Sequence, residues 1–68
     1  MYRNLKAELV RHNISNIEIA EKLGITKGTA SLKINGKSKM SLEEAFIVQT
    51  LIHEKSGKTI PIEELFKA

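Results

Sequence analysis

The side chains that could do covalent or metal chemistry are few. The chain has no cysteine and no aspartate, and His12 and His53 are its only histidines. Two histidines so far apart lack the close ligand spacing of a zinc site. No glycine-rich phosphate loop precedes a helix, and a 68-residue chain offers little cavity for a serine–histidine pair. The sequence therefore assigns no catalytic residue, no metal ligand, no cofactor and no small-molecule ligand. Each histidine reads as surface decoration, and His53, near a helix C-terminus, is favourable when protonated.

What the chain does carry is a block of cations. Residues 22–39 hold Lys22, Lys27, Lys33, Lys37 and Lys39 with no acid among them. Before that block, Arg3, Lys6 and Arg11 balance Glu8, Glu18 and Glu21. After it, Glu43, Glu44, Glu54, Glu63 and Glu64 outnumber Lys55, Lys58 and Lys67. The net charge of +3 is modest, so the segregation carries the signal. A plain solvated face is the bland account of these lysines; a footprint for a polyanion is the functional one.

The elements that must position this block read as helices throughout. Asn4 is expected to cap a first helix through about His12, with Leu5, Leu9 and Val10 as its apolar stripe and Asn13 as a left-handed stop. Ser15 and Glu18 form a capping-box pattern, with Ile14 and Ile19 placed as a hydrophobic staple. The second helix runs to Leu23 and stops at Gly24, which accepts positive φ without steric cost. Thr26 opens a third helix ending at Asn35-Gly36. Ser41 and Glu44 repeat the capping box and open the longest helix, through about Glu54, with Leu42, Ala45, Phe46, Val48, Leu51 and Ile52 at helical spacing. Pro61 suits the first turn of a last short helix carrying Ile62, Leu65 and Phe66. No strand alternation or internal repeat is present. The chain is expected to be all-α, a single domain over residues 1–68. The longest near-apolar stretch, Ala45 to Ile52, is broken by Gln49 and Thr50, and the N-terminus lacks a signal-peptide run. No membrane contact and a cytoplasmic location are therefore expected.

Only Gly24 and Ile25 separate the second and third helices, which forces a sharp crossing. Ala20 supplies the small side chain such a crossing needs, and Leu23, Ile25, Ala30 and Ile34 can close the core between the two. This is the recipe of a helix-turn-helix over about residues 15–35, whose second helix faces the DNA major groove. At about 100° per residue, Ala30 and Ile34 lie about 40° apart and define the buried side. Gly28 and Leu32 then point away from the core, flanked by Thr29, Ser31 and Asn35, with Lys27 and Lys33 on the shoulders. Lys27 sits in a first turn where the helix dipole disfavours a cation by a few tenths of a kcal/mol, so a phosphate or a guanine edge would account for it. Leu32 could meet a thymine methyl.

The run Ile14-Ser15-Asn16-Ile17-Glu18-Ile19-Ala20-Glu21-Lys22-Leu23-Gly24-Ile25-Thr26, then Ala30 and the ending Ile34-Asn35-Gly36-Lys37, resembles the lambda-repressor-like helix-turn-helix family, the Cro/CI or XRE type of phage repressors and bacterial regulators. The opening Asn4-Leu5-Lys6-Ala7-Glu8 and the closing Ile60-Pro61-Ile62-Glu63-Glu64-Leu65-Phe66 are similar to small phage-type members, so the resemblance spans nearly the whole chain. It implies a five-helix domain, a sequence-specific transcriptional regulator or repressor, and a double-stranded DNA operator as partner, often met as a homodimer. The base-reading positions it implies are Lys27, Gly28, Thr29, Ser31 and Leu32. The phosphate contacts it implies are Ser15, Asn16, Lys33, Asn35, Lys37 and Lys39. Four to six such contacts predict a log–log salt slope on the order of −4 to −5. The sequence departs from the family where Asn16 stands for a usual glutamine and Ala30 for a usual valine or isoleucine. Lys33 fills a position many members keep apolar, with Ile34 taking over the packing role.

A second class remains open. The fold also occurs in antitoxins and in small phage proteins that act through protein partners. The acidic C-terminal half, with Ile47 and Phe66 as dimer or partner candidates, suits that role; Phe46 and Leu65 are expected in the core.

Overall fold

The computed structural model describes residues 2–67. Among them are five helices and no strand: α1 (Arg3–Arg11), α2 (Asn16–Leu23), α3 (Lys27–Ile34), α4 (Leu42–Ser56) and α5 (Ile62–Leu65). The stops anticipated at Asn13, Gly24 and Gly36 all have positive φ, and Gly57 ends α4 in the same way. The core draws on every helix: Leu5 and Leu9, Ile19 and Ala20, Ala30 and Ile34, Val48, Leu51 and Ile52, and Leu65, with Ile14 from the first loop. No polar or charged residue lies buried among the described residues. The central element is α2, which packs on α3 and α4; α5 joins α4 to α1. No helix among the described residues is long and apolar enough to cross a membrane.

Several local expectations are corrected. Asn4 does not cap α1, which starts two residues earlier than expected, at Arg3, with Tyr2 at the cap. The Asn4 Nδ2 instead donates to the Glu64 carbonyl (2.8 Å), tying α1 to the one-turn α5. The ring of Phe66, a partner candidate by sequence, packs edge-on against Tyr2 with centroids 5.4 Å apart. The two chain ends thus hold each other.

Val10 is 81% exposed. The seam that α1 buries is one line wide, Leu5 and Leu9 at i and i+4, and Val10 falls one step beyond it. Phe46 and Leu42 are likewise exposed, at 49% and 63%. Ala45, Val48, Leu51 and Ile52 fill the inward face of α4, leaving those two on an adjoining flank. The helix also runs two residues past Glu54, to Ser56, where the left-handed Gly57 closes it with its amide on the His53 carbonyl (2.8 Å). Pro61 stands at the cap of α5 rather than within its first turn.

The contrast between α1 and α2 is testable by urea denaturation. Ile19→Val, which trims a fully buried side chain, should lower stability by about 1 kcal/mol. Val10→Ala should stay within about 0.5 kcal/mol of the parent.

Candidate nucleic-acid interface

The turn that aims α3 is built from short-range bonds. Gly24 is left-handed, its amide donates to the Ala20 carbonyl, and the Ile25 amide donates to the same oxygen (3.0 Å). Thr26 is extended, and its Oγ1 accepts the Thr29 amide at 3.2 Å, satisfying one free donor of the new helix. Ala20 and Ala30 are both buried in the shared core, where small side chains let α2 and α3 approach.

The exposed face of α3 follows the expected wheel. Lys27 and Gly28 are exposed, Thr29 and Ser31 half-buried, and Leu32 47% exposed, while Ala30 and Ile34 are buried. Open space surrounds the point where a Cβ on Gly28 would stand, so packing within the chain gives no reason for glycine there. The Thr26 hydroxyl donates to Thr29 Oγ1 (2.9 Å), which leaves the Thr29 hydroxyl proton available to an outside acceptor. At the start of α2, Ser15 Oγ already accepts the Glu18 amide (3.2 Å), and Asn16 is half-exposed. The Glu18 carboxylate, expected to complete a capping box there, instead meets Lys55 of α4 at 2.9 Å.

Two expected phosphate contacts are committed elsewhere. Lys33 keeps a side chain only 13% exposed. Its ammonium donates to the Lys39 carbonyl (2.7 Å) and to Glu44 Oε1 (3.0 Å). An ammonium in this half-buried place needs a carboxylate, and α4 provides one. The Asn35 side-chain amide donates back to the Ser31 carbonyl (2.9 Å), and its Oδ1 accepts from Lys6 (2.9 Å), fastening the end of α3 to α1. That leaves Lys27, Lys37 and Lys39 as exposed lysines on α3 and in the following loop. Lys37 is held in place by its amide, which with that of Ser38 donates to the Leu32 carbonyl (2.9 and 3.2 Å).

No protein-family model, curated protein or solved structure matches this chain. What it can do is therefore read from its own geometry. Helical periodicity could have found one further exposed apolar residue: Ile17, 53% exposed on the first turn of α2, lies off the Ile19–Ala20 face.

Two concavities lie away from α3. One, about 440 Å³ between α1 and the segment leading into α5, is lined by Glu8, Arg11, His12, Lys58 and Thr59 among others. Its polar groups are largely paired: Glu8 meets Arg11 and His12, and Thr59 Oγ1 lies 3.0 Å from His53 Nδ1. Of the two histidines only His12 lines this cavity; His53 meets Thr59 from outside it. The other, about 330 Å³ between α2 and α4, is lined by Lys22, Glu43, Phe46, Ile47, Thr50, Leu51 and Glu54. Among the described residues, no three His, Cys, Asp or Glu side chains group closely enough to hold a metal ion.

The Ser41–Glu44 capping box is complete, with Glu44 N donating to Ser41 Oγ (3.1 Å) and Ser41 N to Glu44 Oε1 (2.9 Å). The Ser41 amide, helped by the Lys33 ammonium, holds the Glu44 carboxyl below the ordinary carboxylate range. A pKa lowered in the folded state stabilises the fold fully above the unfolded carboxyl's pKa; this contribution is lost as pH falls through the lowered value. The melting temperature of the parent should exceed that of Glu44→Gln at neutral pH, with the gap closing as pH is taken down through the carboxylate range. Circular-dichroism melts across that range check this, and a gap independent of pH would contradict it.

Proposed function

We propose that the protein is a sequence-specific double-stranded DNA-binding regulator of the lambda-repressor-like helix-turn-helix type, a phage or phage-derived repressor that reads the major groove with α3. One observation carries this reading: a short helix, set by a left-handed turn and anchored through Ala30 and Ile34, turns Lys27, Gly28 and Leu32 outward. It is followed by the exposed cations Lys37 and Lys39, in a stretch of sequence without acids.

In this mechanism no bond of a substrate changes, and the protein acts as a binder rather than an enzyme. Lys37 and Lys39, with the free amides at the start of α2 beside Ser15 and Asn16, hold phosphates and set the register. Lys27 and the Thr29 hydroxyl meet base edges, Leu32 meets a thymine methyl, and Gly28 lets the helix come close. In this reading a second copy occupies the other half of an inverted repeat, about 34 Å away on the same DNA face. Such a regulator works in the cytoplasm.

A protein-partner role, as in antitoxin-like modules, is favoured by a different observation, the half-exposed Phe46 in the groove between α2 and α4. Selection of duplexes from a random DNA pool at about 0.1 M salt separates the two readings. The DNA reading expects an enriched half-site or inverted repeat, and a log–log salt slope of about −2 per copy from the phosphate lysines Lys37 and Lys39. That is shallower than the sequence suggests, because the Lys33 ammonium is engaged within the fold. Lys37→Ala should weaken all sequences alike, whereas Lys27→Ala or Thr29→Ala should change which sequences are preferred. No enrichment and no salt dependence would overturn the DNA reading in favour of the protein partner.

A further inference from the structure

We infer that Glu44, acting through the ammonium of Lys33, positions the loop that presents Lys37 and Lys39, so that a negatively charged residue strengthens binding to a polyanion. This rests on the DNA reading above. The loop between α3 and α4 has no regular structure and is fixed at its two ends. At the near end, the Lys37 and Ser38 amides share the Leu32 carbonyl. At the far end, the Lys33 ammonium holds the Lys39 carbonyl at 2.7 Å while pairing with Glu44 Oε1 at 3.0 Å. The same carboxylate oxygen takes the Ser41 amide at 2.9 Å. One atom of Glu44 therefore ties the last turn of α3, the end of the loop and the first turn of α4 together. Little other packing joins α3 to α4 directly, since α2 lies against both.

Plain electrostatics and this clamp predict opposite signs. Replacing Glu44 with glutamine removes a negative charge near the lysines and weakens the hold on Lys33 to a neutral hydrogen bond, which by long-range attraction alone should tighten binding to DNA. If the clamp positions the loop, the same substitution weakens binding, because Lys37 and Lys39 lose their fixed places. Glutamine can still accept the Ser41 amide, so α4 keeps its cap.

The test measures binding of the whole chain to a short random-sequence duplex across a salt series, below the melting temperature of each variant. The duplex needs no operator, since phosphate contacts are shared by all sequences. Glu44→Gln should weaken binding roughly tenfold at about 0.1 M salt and flatten the salt slope by about 1 for each lysine that no longer reaches a phosphate. Lys33→Met should do the same, and the double variant should be no worse than either, because both residues serve one clamp. A merely structural role would lower the melting temperature and leave the slope of the folded protein unchanged, and that result overturns the inference. So does tighter binding by Glu44→Gln, which would mean that Lys33 touches phosphate once released. Amide exchange reads the clamp without DNA: exchange at Lys37 and Ser38 should speed up in Glu44→Gln, and unchanged rates overturn the clamp. Absence of duplex binding by the parent chain overturns the DNA reading, and with it the binding half of this inference. The exchange arm still decides whether Glu44 orders the loop.

Discussion

The burial of Ala30 and Ile34 against α2 sets the rotation of α3, and nearly everything offered to solvent follows from that rotation. Ile34 is 2% exposed, and keeping such a side chain out of water is worth about 1.5–3 kcal/mol. Turning α3 by one residue would bring Lys33 or Asn35 to the core in its place and leave that polar group without water. The phase of the helix is thus fixed by its apolar side, while the outward line of Gly28 and Leu32 is set without any demand on its own chemistry. The small size of Ala30 matters as much as its hydrophobicity, since a larger side chain would push α3 off α2 and change where the outward line points.

The charges divide into those that serve the fold and those left over. Lys33 and Glu44 hold α3, the following loop and α4 together from half-buried positions. The Glu18–Lys55 pair, with side chains 30% and 43% exposed, links α2 to α4 but sits where water and salt screen it, so it contributes about 0–1 kcal/mol. Lys27, Lys37 and Lys39 are exposed, as befits cations that a polyanion could reach. The acid-free block of sequence therefore overstates the available positive charge by one: α4 sends a carboxylate back into it.

That correction shows what sequence can and cannot convey. The capping box at Ser41 and Glu44, the stops at Gly24 and Gly36 and the inward pair on α3 were all legible, because each depends on residues within a turn or two of one another. The box at Ser15 and Glu18 was only half legible. Its hydroxyl half is local, but the carboxylate found an ammonium from α4, and a charged partner outcompetes a neutral amide. Asn4, Lys33 and Asn35 have partners that spacing does not show, for the same reason: Glu64, Glu44 and Lys6 lie far along the chain. Phe46 and Val10 were misjudged differently. Helical spacing says which residues share a face, but how wide a face the neighbouring helices cover depends on tertiary packing. Every error concerns a partner or a covering surface that the chain supplies from a distance.

The composition of α3 bears on why its outer face looks as it does. Gly28, Thr29 and Ser31 are indifferent to poor helix formers, and Gly28 alone costs about 1 kcal/mol relative to alanine in a helix interior. Lys27 stands against the helix dipole. Eight residues of this kind would not be helical in isolation. They are helical here because Thr26 caps the first turn, Ala30 and Ile34 pack on α2, and Asn35 closes the last turn. All of the support lies at the two ends and along the inner side. A face tuned for stability would carry alanine, glutamate or glutamine at the outward positions, and none of these is present. The outward residues are thus the part of the helix least explained by folding, and the part that could be exchanged while the domain keeps its shape. A rigid frame with a replaceable outer line is what reading a particular base sequence requires of an eight-residue helix.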